Sequence, residues 1–212
     1  MMHIILDGNP VSAEPGEMIL DAAHRAGIDI PSLCRLPGSP SQPHGTASPS
    51  CLVCLVKLGD KFVPSCAVAV EEGVVVESET EEVWTMRRSA LELLLSDHIS
   101  HCRTCGEGRK KCRLLKYIAK YQVNRYRFGQ TEKPEDILYS DRVAFDSRKC
   151  IKCGICVAIS RQSGEKTGLA LFGRGFETHI GVPFDEPLQK GIEQSAEKIV
   201  PSCPTAALTW RK

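Results

Sequence analysis

The chain has 212 residues and a formal net charge of +1, and 42% of its residues are hydrophobic but only 6% aromatic. This charge implies no general attraction to nucleic acid or to an anionic membrane surface. Apolar runs such as Leu93–Leu95 are far shorter than a membrane-spanning helix. The N-terminus, Met1 to Asp7, lacks the basic region and the cleavage site of a secretory signal. We therefore expect a cytoplasmic protein without a membrane span, and peripheral membrane attachment stays open.

Eleven cysteines are the most unusual feature of the composition. In a reducing compartment, closely spaced cysteines indicate metal ligands or redox groups rather than structural disulfides. The odd number favours the same interpretation, because disulfides would leave one thiol over. Small domains with few aromatic residues also need a covalent or metal link for stability. The cysteines therefore predict metal-bound domains.

The first predicted domain, residues 1–80, is a small α/β unit. Strands are expected at residues 2–6, 10–13 and 53–58, and Val74–Val76 is expected to close the sheet. Apolar residues from Ile19 to Ala26 recur at helical spacing, and Gly27 is expected to end that helix.

Four cysteines of this domain form the first set of candidate ligands: Cys34, Cys51, Cys54 and Cys66. Their spacing is C-x16-C-x2-C-x11-C. Plant-type [2Fe–2S] ferredoxins also deliver four thiolates, with a spacing of their own. A structural zinc site can use four cysteines as well. The spacing therefore favours a two-iron cluster without excluding zinc.

The second predicted domain, residues 81–128, begins with a helix. Ser78 followed by Glu81 is a capping-box pattern, and apolar residues from Val83 to Leu94, including Met86, recur at helical spacing. A further helix is expected after Cys112.

The second set of candidate ligands is His98, Cys102, Cys105 and Cys112. Three thiolates and an imidazole make a complete set of four. His101 competes with His98, but it stands beside Cys102, and side chains of adjacent residues diverge. We therefore prefer His98.

The third predicted domain, residues 129–212, carries the most specific pattern. Cys150, Cys153 and Cys156 form C-x2-C-x2-C, and Cys203-Pro204 follows far downstream. Bacterial ferredoxins repeat C-x2-C-x2-C-x3-C-P, and the fourth cysteine of each run binds the cluster of the other run. The third set of candidate ligands is therefore Cys150, Cys153, Cys156 and Cys203.

The other cluster of that ferredoxin pattern is absent from the sequence. Its four ligand positions are occupied by Ser160, Glu193, Ala196 and Ile199. Every lost ligand belongs to one cluster and every retained ligand to the other. The three sets use all eleven cysteines and one histidine.

The order of these motifs resembles the N-terminal iron–sulfur region of the large subunit of bacterial NADH–quinone oxidoreductase, respiratory complex I. It is also similar to the diaphorase small subunit of NAD-reducing nickel–iron hydrogenases and to the N-terminal region of iron-only hydrogenases. The resemblance extends over nearly the whole chain. The residues that carry it are Ile30–Cys34, Pro64–Cys66 with Gly73, Asp97–Cys105, Lys149–Cys156, Arg174-Gly175 and Cys203–Leu208.

The resemblance implies an α+β protein with three parts. These are a β-grasp [2Fe–2S] ferredoxin domain, a short helical [4Fe–4S] segment with one histidine and three cysteine ligands, and a bacterial-ferredoxin-like [4Fe–4S] domain. The cofactors would be one [2Fe–2S] and two [4Fe–4S] clusters, bound by the first, second and third sets. The implied partners are a flavin-containing NAD(P)H-oxidising subunit and a second redox subunit, in a hetero-oligomer.

Four features depart from the family pattern. The chain has Pro49 and Leu52 where the family usually has glycine and arginine in Gly-x-Cys-Arg-x-Cys, and the loop before Cys51 is longer than usual. The spacing from Cys105 to Cys112 is one residue longer. The chain ends just after the last ferredoxin strand, Ala206–Trp210, which favours a stand-alone small subunit.

We therefore expect an electron-transfer subunit that is not catalytic by itself. The sequence contains no Walker loop and no dinucleotide-binding glycine motif. The alternative is a zinc-organised scaffold or nucleic-acid-binding protein, which would use the nine basic residues of the Arg103–Arg127 block.

Overall fold

The protein is described by a computed structural model over residues 1–36, 50–98, 105, 110–123, 127–128 and 137–211. The N-terminal elements are β1 (Met2–Leu6), β2 (Asn9–Ala13), α1 (Ile19–Arg25), β3 (Leu55–Leu58), β4 (Lys61–Pro64) and β5 (Val75–Val76). Two helices follow, α2 (Glu81–Ser96) and α3 (Arg113–Lys120). The C-terminal elements are β6 (Ile137–Tyr139), β7 (Val143–Asp146), α4 (Ile155–Gln162), β8 (Ala170–Phe172), β9 (His179–Gly181), α5 (Leu188–Gly191), α6 (Ala196–Ser202) and β10 (Leu208–Trp210).

A mixed sheet organises the N-terminal elements. β1 pairs antiparallel with β2 and parallel with β5, and the β3–β4 hairpin joins through a bridge between Lys57 and Glu77. Side chains alternate along β1, so Ile4 and Leu6 are buried. They pack in one core with Ile19 and Leu20 of α1. The predicted β-grasp arrangement is confirmed.

The C-terminal elements follow the order β7-α4-β8-β9-α6-β10. The outer strands β7 and β10 pair with each other, and the inner strands β8 and β9 form a hairpin. This is the plan of a bacterial ferredoxin, with β6 added beside β7. The α+β class expected from the sequence is therefore confirmed.

A second core joins the parts of the chain. It contains Cys34 and Cys51 from the N-terminal elements, Leu91 from α2, and Cys153 and Ile155 from the ferredoxin-like elements. Within the described ranges, no helix combines the length and hydropathy needed to cross a lipid bilayer.

The start of α2 differs from the sequence prediction. Thr80 is the N-cap, and its hydroxyl accepts a hydrogen bond from the Val83 amide at 3.3 Å. The predicted capping box at Ser78 is wrong, because the Ser78 amide and hydroxyl both donate to the Asp7 carboxylate, each at 2.6 Å. Ser78 therefore ties the helix to the end of β1.

The buried face of α2 contains a charge that the apolar spacing did not predict. Met86, which was expected on that face, is 39% exposed, whereas Arg87 is 0% exposed. Arg87 Nε donates to the Leu55 carbonyl at 2.9 Å, and Nη1 donates to the Tyr121 hydroxyl at 3.0 Å. Arg87 Nη1 also lies 3.6 Å from Glu79 Oε1. One guanidinium thus connects β3, α2 and the residue that ends α3.

Replacing this arginine should destabilise the protein. Arg87→Met leaves the buried Leu55 carbonyl and Tyr121 hydroxyl without their donor, so we expect a loss of about 2–3 kcal/mol in the free energy of unfolding. That corresponds to a fall of roughly 5–10 °C in Tm, measurable by anaerobic calorimetry on the cluster-loaded protein. The control is Arg161→Met on the exposed face of α4, with an expected change within about 0.5 kcal/mol. Equal melting temperatures for the two variants would contradict this role of Arg87.

Candidate metal centres

The four cysteines of the first set meet at one place. Cys51 and Cys54 precede β3, and Cys66 follows β4. Cys34, Cys51 and Cys54 are buried, and Cys66 is half-buried. Cys34 lies within hydrogen-bonding distance of Cys51 and of Cys66, and Cys54 lies within that distance of Cys66. The structure therefore brings the whole first set together.

These contacts change the acidity of the thiols in opposite directions. Hydrogen bonds from Cys51 and Cys66 lower the pKa of Cys34, because they stabilise its thiolate. The same contacts with Cys34 raise the pKa of Cys51 and of Cys66, because these two thiols are the donors. A hydrogen bond from Cys66 also lowers the pKa of Cys54, so two thiolates are stabilised at the expense of their neighbours. Several adjacent buried thiolates require a compensating positive charge, which the iron of a cluster supplies.

Two hydrogen bonds from Ser65 fix the backbone at Cys54 of the first set. The Ser65 hydroxyl, fully buried, donates to the Cys54 carbonyl at 2.7 Å, and the Ser65 amide donates to the same oxygen at 3.2 Å. The strand β3 begins at Leu55 rather than at the predicted Val53. Residues 53 and 54 lie in a turn instead, and this turn positions Cys54 beside Cys66.

Three members of the second set lie in the described ranges. His98 and Cys105 are buried and Cys112 is half-buried, whereas Cys102 and the competing His101 lie outside the described residues. His98 comes directly after Asp97, the C-cap of α2. Cys112 is the N-cap of α3, and its sulfur accepts a hydrogen bond from the Leu115 amide at 3.4 Å. Helix ends therefore position both His98 and Cys112.

The third set lines one cavity. Cys150, Cys153, Cys156 and Cys203 share it with apolar residues that include Phe145, Ile155, Ile180 and Leu208. Burial raises the pKa of Cys153 and of Cys156, and the neighbouring cysteines add to both shifts. The structure therefore brings the third set together in a largely apolar setting.

Local backbone geometry supports this arrangement. Lys152 and Gly154 both adopt positive φ, 56° and 76°, and the Lys152 amide donates to the Cys150 sulfur at 3.3 Å. The hydroxyl of Thr205 lies 3.9 Å from the Cys203 sulfur, at the end of α6. Hydrogen bonds to ligand sulfur are one means by which proteins adjust cluster potentials.

The positions of the missing ferredoxin ligands are used for packing. Ser160 is fully buried, its hydroxyl donates to the Val157 carbonyl at 2.9 Å and it accepts from the Leu169 amide at 3.0 Å. Ile199 and Ala196 are buried in the shared core, while Glu193 is exposed. Side chains therefore fill the volume beside α4 and α6.

The first and third sets lie close to each other. Cys34 and Cys153 belong to the same core, and the charge of Cys34 contributes to the raised pKa of Cys153. The second and third sets are also connected, because the amide of Arg113 donates to the carbonyl of Pro204 at 2.7 Å. These two residues directly follow Cys112 and Cys203.

The chemistry of the donor sets fits iron–sulfur clusters. Four cysteines meet in the first set and four in the third, and cysteine thiolates are the usual ligands of [2Fe–2S] and [4Fe–4S] clusters.

Comparisons with known proteins agree with this chemistry. Residues 1–81 match the family described as 2Fe-2S iron-sulfur cluster binding domain. Residues 87–127 match the NADH-ubiquinone oxidoreductase-G iron-sulfur binding region. The predicted resemblance is confirmed. The chain carries a [2Fe–2S] binding domain followed by a [4Fe–4S] binding region of this type.

Two curated relatives match nearly the whole chain. It is 33% identical over 220 residues to the NADP-reducing hydrogenase subunit HndD of Solidesulfovibrio fructosivorans, covering 98% of this chain and 36% of that protein. It is 28% identical over 213 residues to the mitochondrial NADH-ubiquinone oxidoreductase 78 kDa subunit of Candida albicans, covering 98% of this chain and 28% of the relative. The chain thus spans about a third of the length of these relatives.

A solved structure covers the same extent. A chain in the crystal structure of NAD+-reducing [NiFe]-hydrogenase in the H2-reduced state superposes with a TM-score of 0.86 at 26% identity. The match covers 99% of this chain and 87% of that one. The domain boundaries at 80 and 128 and the individual ligands stay predictions.

Proposed function

We propose that this chain relays single electrons between an NAD(P)H-oxidising flavoprotein subunit and a second redox subunit. The observation that carries the proposal is the shared core that contains both Cys34 of the first set and Cys153 of the third, near enough for the charge of Cys34 to affect the pKa of Cys153. Electrons pass between fixed centres only when these lie close together, and this core brings two ligand sets near each other.

The ligand sets support three clusters. The first set would hold one [2Fe–2S] cluster, and the second and third sets would each hold a [4Fe–4S] cluster. When bound, such clusters carry one electron at a time, whereas a hydride from NADH delivers two. All four ligands of each set are used, so no coordination site is left for a substrate. The chain would therefore transfer electrons and would not catalyse hydride transfer.

Contacts between the sets suggest the order of transfer. The Cys34–Cys153 neighbourhood connects the first set to the third. The Arg113–Pro204 hydrogen bond connects the third set to the second. The third set would therefore stand between the other two.

His98 would distinguish the second centre from the third. A neutral imidazole in place of a thiolate makes the cluster one charge less negative, which raises its potential. The buried position of His98 at the end of α2 is compatible with a ligand.

The zinc-scaffold alternative has no support in the family matches or in the relatives. The relatives are subunits of hydrogenase and NADH oxidoreductase assemblies. By analogy, we propose a hetero-oligomer that contains a flavin subunit. The cytoplasmic location predicted from the sequence stays a prediction.

Iron content tests the ligand sets. The anaerobically purified chain should contain about ten iron and ten sulfide, as expected for one two-iron and two four-iron clusters. Cys54→Ser should leave about eight iron and Cys153→Ser about six, because each variant removes one cluster. His98→Ala should also leave about six iron atoms per chain, while His101→Ala should retain about ten. Zinc in place of iron, or iron loss in His101→Ala instead of His98→Ala, would contradict the assignment.

Partner identity is tested separately. Affinity purification of the chain under anaerobic conditions, from its native cells, should recover a flavin-containing subunit. NADH or NADPH should then reduce the clusters in the recovered complex but not in the isolated chain. Reduction of the isolated chain by either nucleotide would contradict the proposal that a separate flavoprotein subunit oxidises NAD(P)H.

A further inference from the structure

An ion pair links the backbone segments that carry the second and third sets. The carboxylate of Asp97 contacts the ammonium group of Lys152. Asp97 directly precedes His98, and Lys152 lies between Cys150 and Cys153. One charge of the pair is therefore adjacent in sequence to a ligand of the second set, and the other lies between two ligands of the third.

The ammonium group is held in place by several contacts. Lys152 adopts a positive φ of 56°, and its amide donates to the Cys150 sulfur at 3.3 Å. Its Nζ also donates to the Phe176 carbonyl at 3.1 Å. The side chains of Asp97 and Lys152 are each only 16% exposed. A long, flexible lysine chain is thus fixed at one end by the ligand turn and at the other by two acceptors.

The surroundings of the pair are largely apolar. The two charges share a surface pocket with Leu93, Ile151 and Phe176. Water screens charges less in a partly buried apolar setting than at an open surface, so electrostatic effects extend further there. Charges at this place can therefore act on centres nearby.

We propose that the Asp97–Lys152 pair acts as a fixed dipole that separates the reduction potentials of the two four-iron centres, an inference that rests on the proposed function. Reduction adds a negative charge to a cluster. The ammonium belongs to a residue between two ligands of the third set, so it should stabilise that added charge and raise the potential there. The carboxylate belongs to the residue before His98, so it should oppose the added charge at the second set and lower the potential there.

Charge-removing variants test the two ends independently. Lys152→Gln should lower the midpoint potential of the third centre more than that of the second. Asp97→Asn should raise the midpoint of the second centre more than that of the third. The midpoints are measured by redox titration followed by electron paramagnetic resonance, and His98→Ala and Cys153→Ser assign the signals, because each removes one centre.

Two control variants separate charge from structure. Lys152→Arg keeps the positive charge and should leave both midpoints near their wild-type values. Arg25→Gln removes a positive charge from an ion pair with Glu17 at the end of α1, and it should shift neither four-iron midpoint. If the role of Lys152 were purely structural, Lys152→Arg would shift the midpoint potentials as much as Lys152→Gln.

The outcomes distinguish this inference from the proposed function. Opposite shifts in Lys152→Gln and Asp97→Asn would support the dipole. Shifts in the same direction, or unchanged midpoints with both four-iron signals present, would overturn the dipole and leave the electron relay standing. Absence of the two four-iron signals from the wild-type chain would overturn both.

Discussion

The structure depends on the meeting of four cysteines at one place in the first set and again in the third. Adjacent buried thiols cannot all ionise in an apolar setting unless a positive charge compensates them. Cys34 shows the conflict directly, since the contacts that contribute most to stabilising its thiolate also raise the pKa of Cys51 and Cys66. Iron bound at these places would remove the conflict and would hold together domains whose own cores are small. On the proposed ligand sets, metal binding and folding would therefore be coupled.

The same ligand sets also connect the domains. Cys54 packs in the core of the N-terminal sheet, whereas Cys34 and Cys51 pack in the core shared with the ferredoxin-like elements. The first centre thus lies at the boundary between the two cores. Arg87 and the Asp97–Lys152 pair add polar connections across neighbouring boundaries. Rigid connections of this kind fix the distances between centres, which is the structural requirement for electron transfer.

Much of this arrangement was predictable from local sequence patterns. Cysteine spacing and strand alternation are short-range signals, so the β-grasp and ferredoxin-like plans were recognised correctly. The buried role of Arg87 was missed, because its hydrogen-bond partners Leu55 and Tyr121 lie 32 and 34 residues away. The predicted cap at Ser78 was wrong for a similar reason. The amide and the hydroxyl of Ser78 both donate to the carboxylate of Asp7, which lies 71 residues away in the sequence. The Asp97–Lys152 contact likewise depends on tertiary structure and leaves no local pattern.

We propose that one chain holds three one-electron centres. A stoichiometric reductive titration of the isolated, cluster-loaded protein counts these centres, with absorbance and paramagnetic resonance recorded after each addition under anaerobic conditions. We expect an uptake of about three electrons per chain, one for each cluster. Uptake of two electrons would contradict the presence of one of the three clusters. A colourless protein that takes up no electrons would contradict the electron relay itself.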